Sequence, residues 1–269
     1  MERNETRKAI AKDGLVYGPV HSRRLGLSLG LNICPGARKQ CSFNCIYCEC
    51  GSRQPVLVPA SSEAWPTPRQ VEEALAQALQ RVPAVDCITF AGNGEPTLHP
   101  AFAEIAARVR RLRDAQAPEL KLVLLSNAAG LGQKRVAEAL SLIDLPILKL
   151  DAGTEETFQQ INRPAAPLTL TAIMGYLKTL THYSLQSLFV TGRYRNIEEQ
   201  SVSAWIDRVV ELHPQAVQIY TLDRTAPVRG LDPVPLKTLQ TIAGRLRERV
   251  DLPILVFGPS VQKMKVGNR

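Results

Sequence analysis

No stretch of this 269-residue sequence is apolar for long enough to cross a membrane. The longest such run, residues 143–150, is broken by Asp144, Pro146 and Lys149. The opening residues, MERNETRKAIAKDG, lack the apolar centre of a secretory signal. The chain is therefore expected in the cytoplasm, where thiols stay reduced. Aromatic residues make up 5% of the sequence, which argues against an extended base-stacking surface. The four histidines (His21, His99, His182, His213) stand singly, and no second Cys-x2-Cys pair follows the one that is present. A structural zinc site would need such a second set of ligands. Six cysteines are too sparse for a disulfide scaffold, and five of them fall between positions 34 and 50. Neither an internal repeat nor a low-complexity linker divides the chain, so it reads as a single domain.

What is present begins with core-forming capacity and positive charge. Hydrophobic residues make up 45% of the sequence, enough to bury a substantial core. The net charge is +8, drawn in part from a terminal tail (Lys263, Lys265, Arg269) and from the run Arg108, Arg110, Arg111 and Arg113. A basic surface favours anionic partners, nucleic acid among them. A solvated face is the alternative reading of the same charges.

Strand-like and helix-like segments alternate along the chain. Residues 24–33 alternate leucine and isoleucine with small or polar residues, as a strand does. Residues 66–82 read as a helix, with Thr67 as its cap and Pro68 in its first turn. Strands are expected at 86–91, 121–126, 145–150, 185–191, 216–221 and 253–257. Helices are expected at 102–113, 134–142, 155–161, 169–181, 198–212 and 236–249. Alternation at crossover length implies parallel β-α units. Six units are too few for a closed eight-fold barrel, so an α/β, partial open (β/α)6 TIM-like barrel with parallel strands is expected. A doubly wound sheet is the other candidate. The expected layout is an N-terminal extension (1–22), a barrel core (23–222) and a C-terminal helix and strand (223–269).

Polar motifs collect just after these strands, where a barrel of this kind has its active face. The first strand leads to Cys41-Ser-Phe-Asn-Cys45-Ile-Tyr-Cys48, a Cys-x3-Cys-x2-Cys loop. Three thiolates can hold three irons of a cubane cluster and leave the fourth open to another molecule. The second strand runs into Gly92-Asn-Gly94-Glu95, where glycines permit close backbone approach and Glu95 offers an acceptor for an ammonium group. An ordinary strand-to-helix turn would look the same. The third strand ends in Ser126-Asn127, which could also be a cap. On the fourth, alternation puts Lys149 and Asp151 on one face, either as an ion pair or facing a ligand. Tyr220 lies on the sixth strand and could be core. His21, Arg23, Arg24, Arg163 and Arg193 are candidates for the substrate side, since guanidinium groups suit phosphate or carboxylate. Surface salt bridges would use the same arginines. Cys87 lies in an apolar strand as an inert core residue, while Cys34 and Cys50 are too few for a second cubane.

The segments GPVHSRRLGLSLGLN, CSFNCIYCECG, FAGNGEPTLHP, LKLDAGTEETFQQINRP and QIYTLDR resemble the radical S-adenosylmethionine (SAM) superfamily. Within it they are similar to the bacterial proteins related to wybutosine-synthesis iron–sulfur oxidoreductases. Asn93 departs from the pattern, standing where glycine is usual. The resemblance implies a [4Fe-4S] cluster on Cys41, Cys45 and Cys48, with SAM on its open iron. It places Gly92, Asn93, Gly94 and Glu95 against the amino group of SAM, and Ser126 and Asn127 against its ribose or carboxylate. Lys149 and Asp151 would read the carboxylate and ribose hydroxyls, Tyr47 would line the adenine side, and Tyr220 would complete the pocket. Reductive cleavage of SAM to a 5′-deoxyadenosyl radical, which takes a hydrogen from the substrate, is the implied reaction. The wybutosine enzyme's own reaction does not carry over, because Cys34 is the sole cysteine upstream of the triad. The expected partners are a flavodoxin- or ferredoxin-type electron donor and an anionic substrate, with tRNA or a nucleotide-like molecule as candidates. The chain is expected to act as a monomer, without a membrane. A structural-zinc nucleic-acid-binding protein and an iron–sulfur electron-transfer protein are the competing readings.

Overall fold

The computed structural model describes residues 14–34, 39–57, 65–82 and 84–259. The basic tail at Lys263, Lys265 and Arg269, and most of the expected N-terminal extension, lie outside the described residues. Two compact units divide the chain. The first comprises residues 1–42 and 55–148, the second residues 43–54 and 149–269.

In the first unit, strands β1 (Val16–Ser22) and β2 (Gly26–Leu31) pair antiparallel. From β2 the sheet continues in parallel through β3 (Cys87–Phe90), β4 (Lys121–Ser126) and β5 (Leu145–Lys149). Lys149, the last residue of β5, is assigned to the second unit. Ile88, Phe90, Leu122, Leu124 and Ile147 are completely buried. That explains why these strands read as short apolar runs: a parallel sheet is covered on both faces.

Helix α1 (Pro68–Leu79) is shorter at both ends than the expected 66–82 and keeps Thr67 as its cap. Thr67 accepts the Gln70 N–H at 3.3 Å, and Gln70 Oε1 accepts the Thr67 N–H at 2.8 Å, a reciprocal capping box with proline at the first helical position. Helices α2 (Phe102–Gln116) and α3 (Lys134–Ala139) complete the unit, α3 running into a 3-10 turn, Leu140–Leu142.

Two expectations change here. The strand expected over 24–33 is Gly26–Leu31, and β1 precedes it. Gly18 and Pro19 break the alternation of β1, and its register shifts between Tyr17 and Val20. The run of α2 arginines is largely neutralised. Arg108 binds Glu72 and Glu104, Arg110 binds Asp114 and Asp144, and Arg113 binds Asp114 and Asp144. The Arg113 side chain is 4% exposed, so it is a buried pin rather than part of a basic face.

In the second unit, β6 (Ser184–Gly192), β7 (Ala216–Thr221) and β9 (Ile254–Phe257) run parallel, and the short β8 (Leu231–Pro233) pairs antiparallel with β6. Helices α4 (Glu155–Ile161), α5 (Leu170–Lys178), α6 (Glu199–Leu212) and α7 (Leu236–Arg247) alternate with them. Buried Trp205 on α6 donates from Nε1 to Leu150 O and Ser187 Oγ, each at 3.0 Å. A Cβ on Gly153 would lie 2.2 Å from the Ala204–Trp205 backbone, so the packing of α6 requires glycine there. Parallel strands alternating with helices make this a mixed α/β fold of the partial TIM-like barrel class, as the sequence predicts.

Candidate active site

In the first unit, the segment after β2 is fastened to the segment after β3. Gln40 donates its N–H to Asn93 O at 3.0 Å, and Gln40 O accepts the Glu95 N–H at 2.8 Å. The contact is so close that a Cβ on Gly94 would sit 1.8 Å from Gln40 O. Asn32 Oδ1 accepts the Asn93 N–H at 3.1 Å. Asn93 does not adopt a left-handed backbone, so a side chain costs nothing at this glycine-like position. Beside this bridge, the Glu95 carboxylate is 2% exposed and accepts four donors: Thr97 N at 3.1 Å, Thr97 Oγ1 at 2.6 Å, Ser126 Oγ at 2.7 Å and Asn127 N at 2.7 Å. Burial pushes the Glu95 carboxyl up, while the donors on Asn127, Thr97 and Ser126 pull the other way. Asn127 in turn donates to Ser42 Oγ at 2.9 Å and lies 3.5 Å from Cys41 Sγ. The structure thus brings Cys41, Gly94, Glu95, Ser126 and Asn127 into one neighbourhood. Cys34 joins it: burial, then Glu95 and Cys41, push its thiol well up.

The second unit carries the rest of the loop. Ile46 N–H donates to Ile161 O at 3.0 Å, Asn44 N–H to Asn162 O and Arg163 O, and Cys48 N–H to Cys45 O at 3.1 Å. These bonds hold the loop against the end of α4. Tyr47 OH donates to Asp151 Oδ2 and accepts from Lys149 Nζ at 2.7 Å. Lys149 lies 3.6 Å from the same carboxylate, so the ion pair foreseen between them exists, with the phenol between its members. Asp151 also accepts from Asn162 Nδ2 at 2.6 Å and from Leu188 N at 2.8 Å. Burial, then Asp151, push the Tyr47 phenol well above its ordinary value, and Tyr220 adds to this from nearby. Burial also raises the Cys45 thiol, opposed by the charge of Lys149.

The substrate-side candidates separate into two groups. Arg163 and Arg193 each place a guanidinium 5.5 Å from the Tyr194 ring centroid. Arg163 holds a left-handed backbone (φ 46°), a strained conformation for a non-glycine residue. His21, Arg23 and Arg24 instead occupy the β1–β2 turn, at the N-terminal end of β2. The cysteine loop leaves the other end of that strand, about 16 Å away at 3.3 Å per residue. The structure therefore does not bring these three to the site, since the antiparallel β1 turns the chain away from it. Cys87 is buried with Val123 and Ile147 in the core, and Cys50 is exposed. Asn162, Asn32 and Asn196 are additional polar residues here. Asn196 fixes the turn after β6 by donating to Asp151 O at 3.0 Å and Leu188 O at 2.8 Å. Asn162 stands in the segment Ile161-Asn162-Arg163-Pro164, where no spacing distinguishes an asparagine of this kind.

Three cysteines on one short loop are a donor set that fits an iron–sulfur cluster. Among the described residues, no three His, Cys, Asp or Glu side chains converge as one metal ion would require. Thiolates bound to different irons of a cubane need not meet at one point. Two of the loop sulfurs also face amide donors, the environment of a liganding thiolate.

A parallel α/β fold whose strand ends carry a three-cysteine loop and a Gly-Asn-Gly-Glu segment defines a cluster-dependent enzyme class. The superfamily model described as Radical SAM matches residues 39–200, and the chain belongs to that superfamily. Members use SAM and an iron–sulfur cluster and are driven by a reductant. A UPF0026 protein of Synechocystis sp. is 33% identical over 223 residues, which cover 80% of this chain and 77% of that one. A protein named GTPase Obg, from Brachyspira hyodysenteriae, is 33% identical over 164 residues, 61% of this chain. The match spans about a quarter (23%) of that relative's length. The solved structure of TYW1 with a lysine–pyruvate adduct bound shares the fold, with a TM-score of 0.60 at 14% identity over 91% of this chain and 81% of that chain. No helix among the described residues is long and apolar enough to cross a membrane.

Proposed function

We propose that Cys41, Cys45 and Cys48 hold a [4Fe-4S] cluster with one open iron for SAM, and that the enzyme abstracts hydrogen from an anionic substrate, with tRNA or a nucleotide-like molecule as candidates. The observation that carries this reading is the backbone bridge between Gln40 and Gly94, which fastens the segment bearing Cys41 to the segment that would receive the amino group of SAM. When bound, the cluster supplies an electron and SAM supplies the 5′-deoxyadenosyl radical formed on cleavage of its carbon–sulfur bond.

The chain's own residues position and shield. Glu95 accepts four donors and so holds Thr97, Ser126 and Asn127 beside the half-buried residues 92–94, which would face the ligand. Lys149, Tyr47 and Asp151 form a charged, hydrogen-bonded group suited to a carboxylate and ribose hydroxyls. Arg163 and Arg193, each 5.5 Å from the Tyr194 ring centroid, suit a phosphate or carboxylate of the substrate. Low-potential electrons would come from a flavodoxin- or ferredoxin-type donor. The family match crosses both compact units, which supports reading the chain as one catalytic domain, and we propose that it acts as a monomer in the cytoplasm.

The test is anaerobic reconstitution with iron and sulfide, then electron paramagnetic resonance of the reduced protein with and without SAM. A cubane signal that changes when SAM is added, together with release of 5′-deoxyadenosine, is the expected result. Replacing Cys41, Cys45 or Cys48 by alanine should abolish both. Stoichiometric zinc with no cluster after reconstitution would overturn the reading in favour of a structural zinc site.

A further inference from the structure

Asn162 is 1% exposed, and its amide nitrogen makes two contacts. One N–H donates to Asp151 Oδ2 at 2.6 Å, and Nδ2 also lies 3.5 Å from Cys45 Sγ. The carboxylate fixes which end of the amide faces it, because an ionised carboxylate only accepts hydrogen bonds. The main chain fixes the residue as well. Asn162 N–H donates to Phe158 O at 2.9 Å, and Asn162 O accepts the Asn44 N–H at 3.0 Å. This amide is therefore held rigidly, with one donor on the Asp151 carboxylate and the other toward Cys45 Sγ.

Asn127 repeats the arrangement in the first unit. It is 4% exposed, its Nδ2 lies 3.5 Å from Cys41 Sγ and 2.9 Å from Ser42 Oγ, and its backbone N–H is held by Glu95 at 2.7 Å. Two buried, uncharged amides on different elements thus reach two of the three loop sulfurs. Sulfur ligands carry more negative charge in the reduced cluster than in the oxidised one. A fixed N–H donor stabilises that charge and raises the reduction potential.

We propose that Asn162 and Asn127 are positioning residues that set the cluster's reduction potential through N–H···S bonds to Cys45 and Cys41. This rests on the cluster reading above. The experiment is a redox titration of the reconstituted holoprotein, followed by electron paramagnetic resonance, for wild type, Asn162→Leu and Asn127→Leu. Leucine keeps nearly the same volume, so it removes the donor while still excluding water. Each variant is expected to load iron as wild type does and to show a more negative midpoint, with Asn162→Gln, which retains an amide, closer to wild type. Variants loaded with normal iron and sulfide but unshifted in potential would overturn the proposal while leaving the cluster reading intact. A wild-type protein that takes up no cluster would overturn both. Should one leucine variant fail to fold, the other and Asn162→Gln carry the same test, since the two amides lie in separate hydrogen-bond groups.

Discussion

Glu95 shows how much one side chain can hold. A buried carboxylate is costly unless its lone pairs are satisfied, and here four donors from Thr97, Ser126 and Asn127 satisfy them. Replacement by glutamine removes one acceptor oxygen and turns an NH2 group toward a backbone N–H, that of Thr97 or of Asn127, which cannot accept it. Glu95→Gln should therefore cost about 2–3 kcal/mol, by the penalty for leaving buried polar groups unsatisfied. Urea denaturation of the apoprotein measures this directly, and a loss under about 0.5 kcal/mol would mean that the network re-forms around the amide. That a carboxylate stands after Gly-Asn-Gly at a strand end was legible in the sequence, although an ordinary strand-to-helix turn reads the same. Its engagement with Ser126 and Asn127 was not, because those partners are 31 and 32 residues away. Asn162 was less legible still, lying 117 residues from Cys45.

At the scale of elements, the end of α2 is pinned by one ion-pair group. Arg113 donates to Asp144 Oδ2 at 2.5 Å and to Leu120 O, while Asp144 also takes the Leu122 N–H at 2.7 Å and Arg110 at 3.0 Å. The group joins α2 to the start of β4 and to the turn before β5. Burial alone would raise the Asp144 carboxyl, but Arg113 and the Leu122 N–H hold it below its ordinary value. A depressed folded-state pKa contributes stability above the unfolded value and loses it as pH falls through the folded one. Wild type should accordingly shed this stability below the ordinary carboxylate range, near pH 4 and lower. Asp144→Asn should cost about 2 kcal/mol at pH 7, because it takes from the buried Arg113 one of its two carboxylates and leaves it the half-exposed Asp114, and should flatten the acid limb of a stability-versus-pH curve. An unchanged acid limb in the variant would show that other carboxylates govern it. The same group explains a misread signal. Four arginines on one helix look like a basic face in sequence, and the carboxylate that neutralises two of them comes 31 to 34 residues later. Elements bounded by clear punctuation were read to the residue: the strands at 121–126 and 216–221 and the helix at 155–161. The three-residue β8 and the interrupted β1 carried too little pattern to be seen.

For the whole molecule, the question is where a net charge of +8 is available to a partner. Arg108, Arg110 and Arg113 are committed to carboxylates, and Arg245 and Arg249 pair with Glu199 and Asp207. Arg163 and Arg193 differ: both contact the Tyr194 ring, and the described residues show no ion pair for either. A cation resting on an aromatic face keeps its charge and loses little of its capacity to bind an anion. If the substrate is RNA, these two arginines should account for part of the salt dependence of binding. Each phosphate contact on a single strand contributes about 0.7 to the slope of log affinity against log salt. The Arg163→Ala/Arg193→Ala double variant should therefore reduce that slope by about 1.4 for a single-stranded RNA probe, while the cluster signal of the reconstituted protein stays as in wild type. The aromatic content of 5% makes stacking a minor term, so affinity should fall in step with the slope rather than change base preference. A slope unaltered by the double variant would place the nucleic-acid contacts elsewhere, and no binding by wild type at low salt would favour a small anionic substrate for the same pair of arginines.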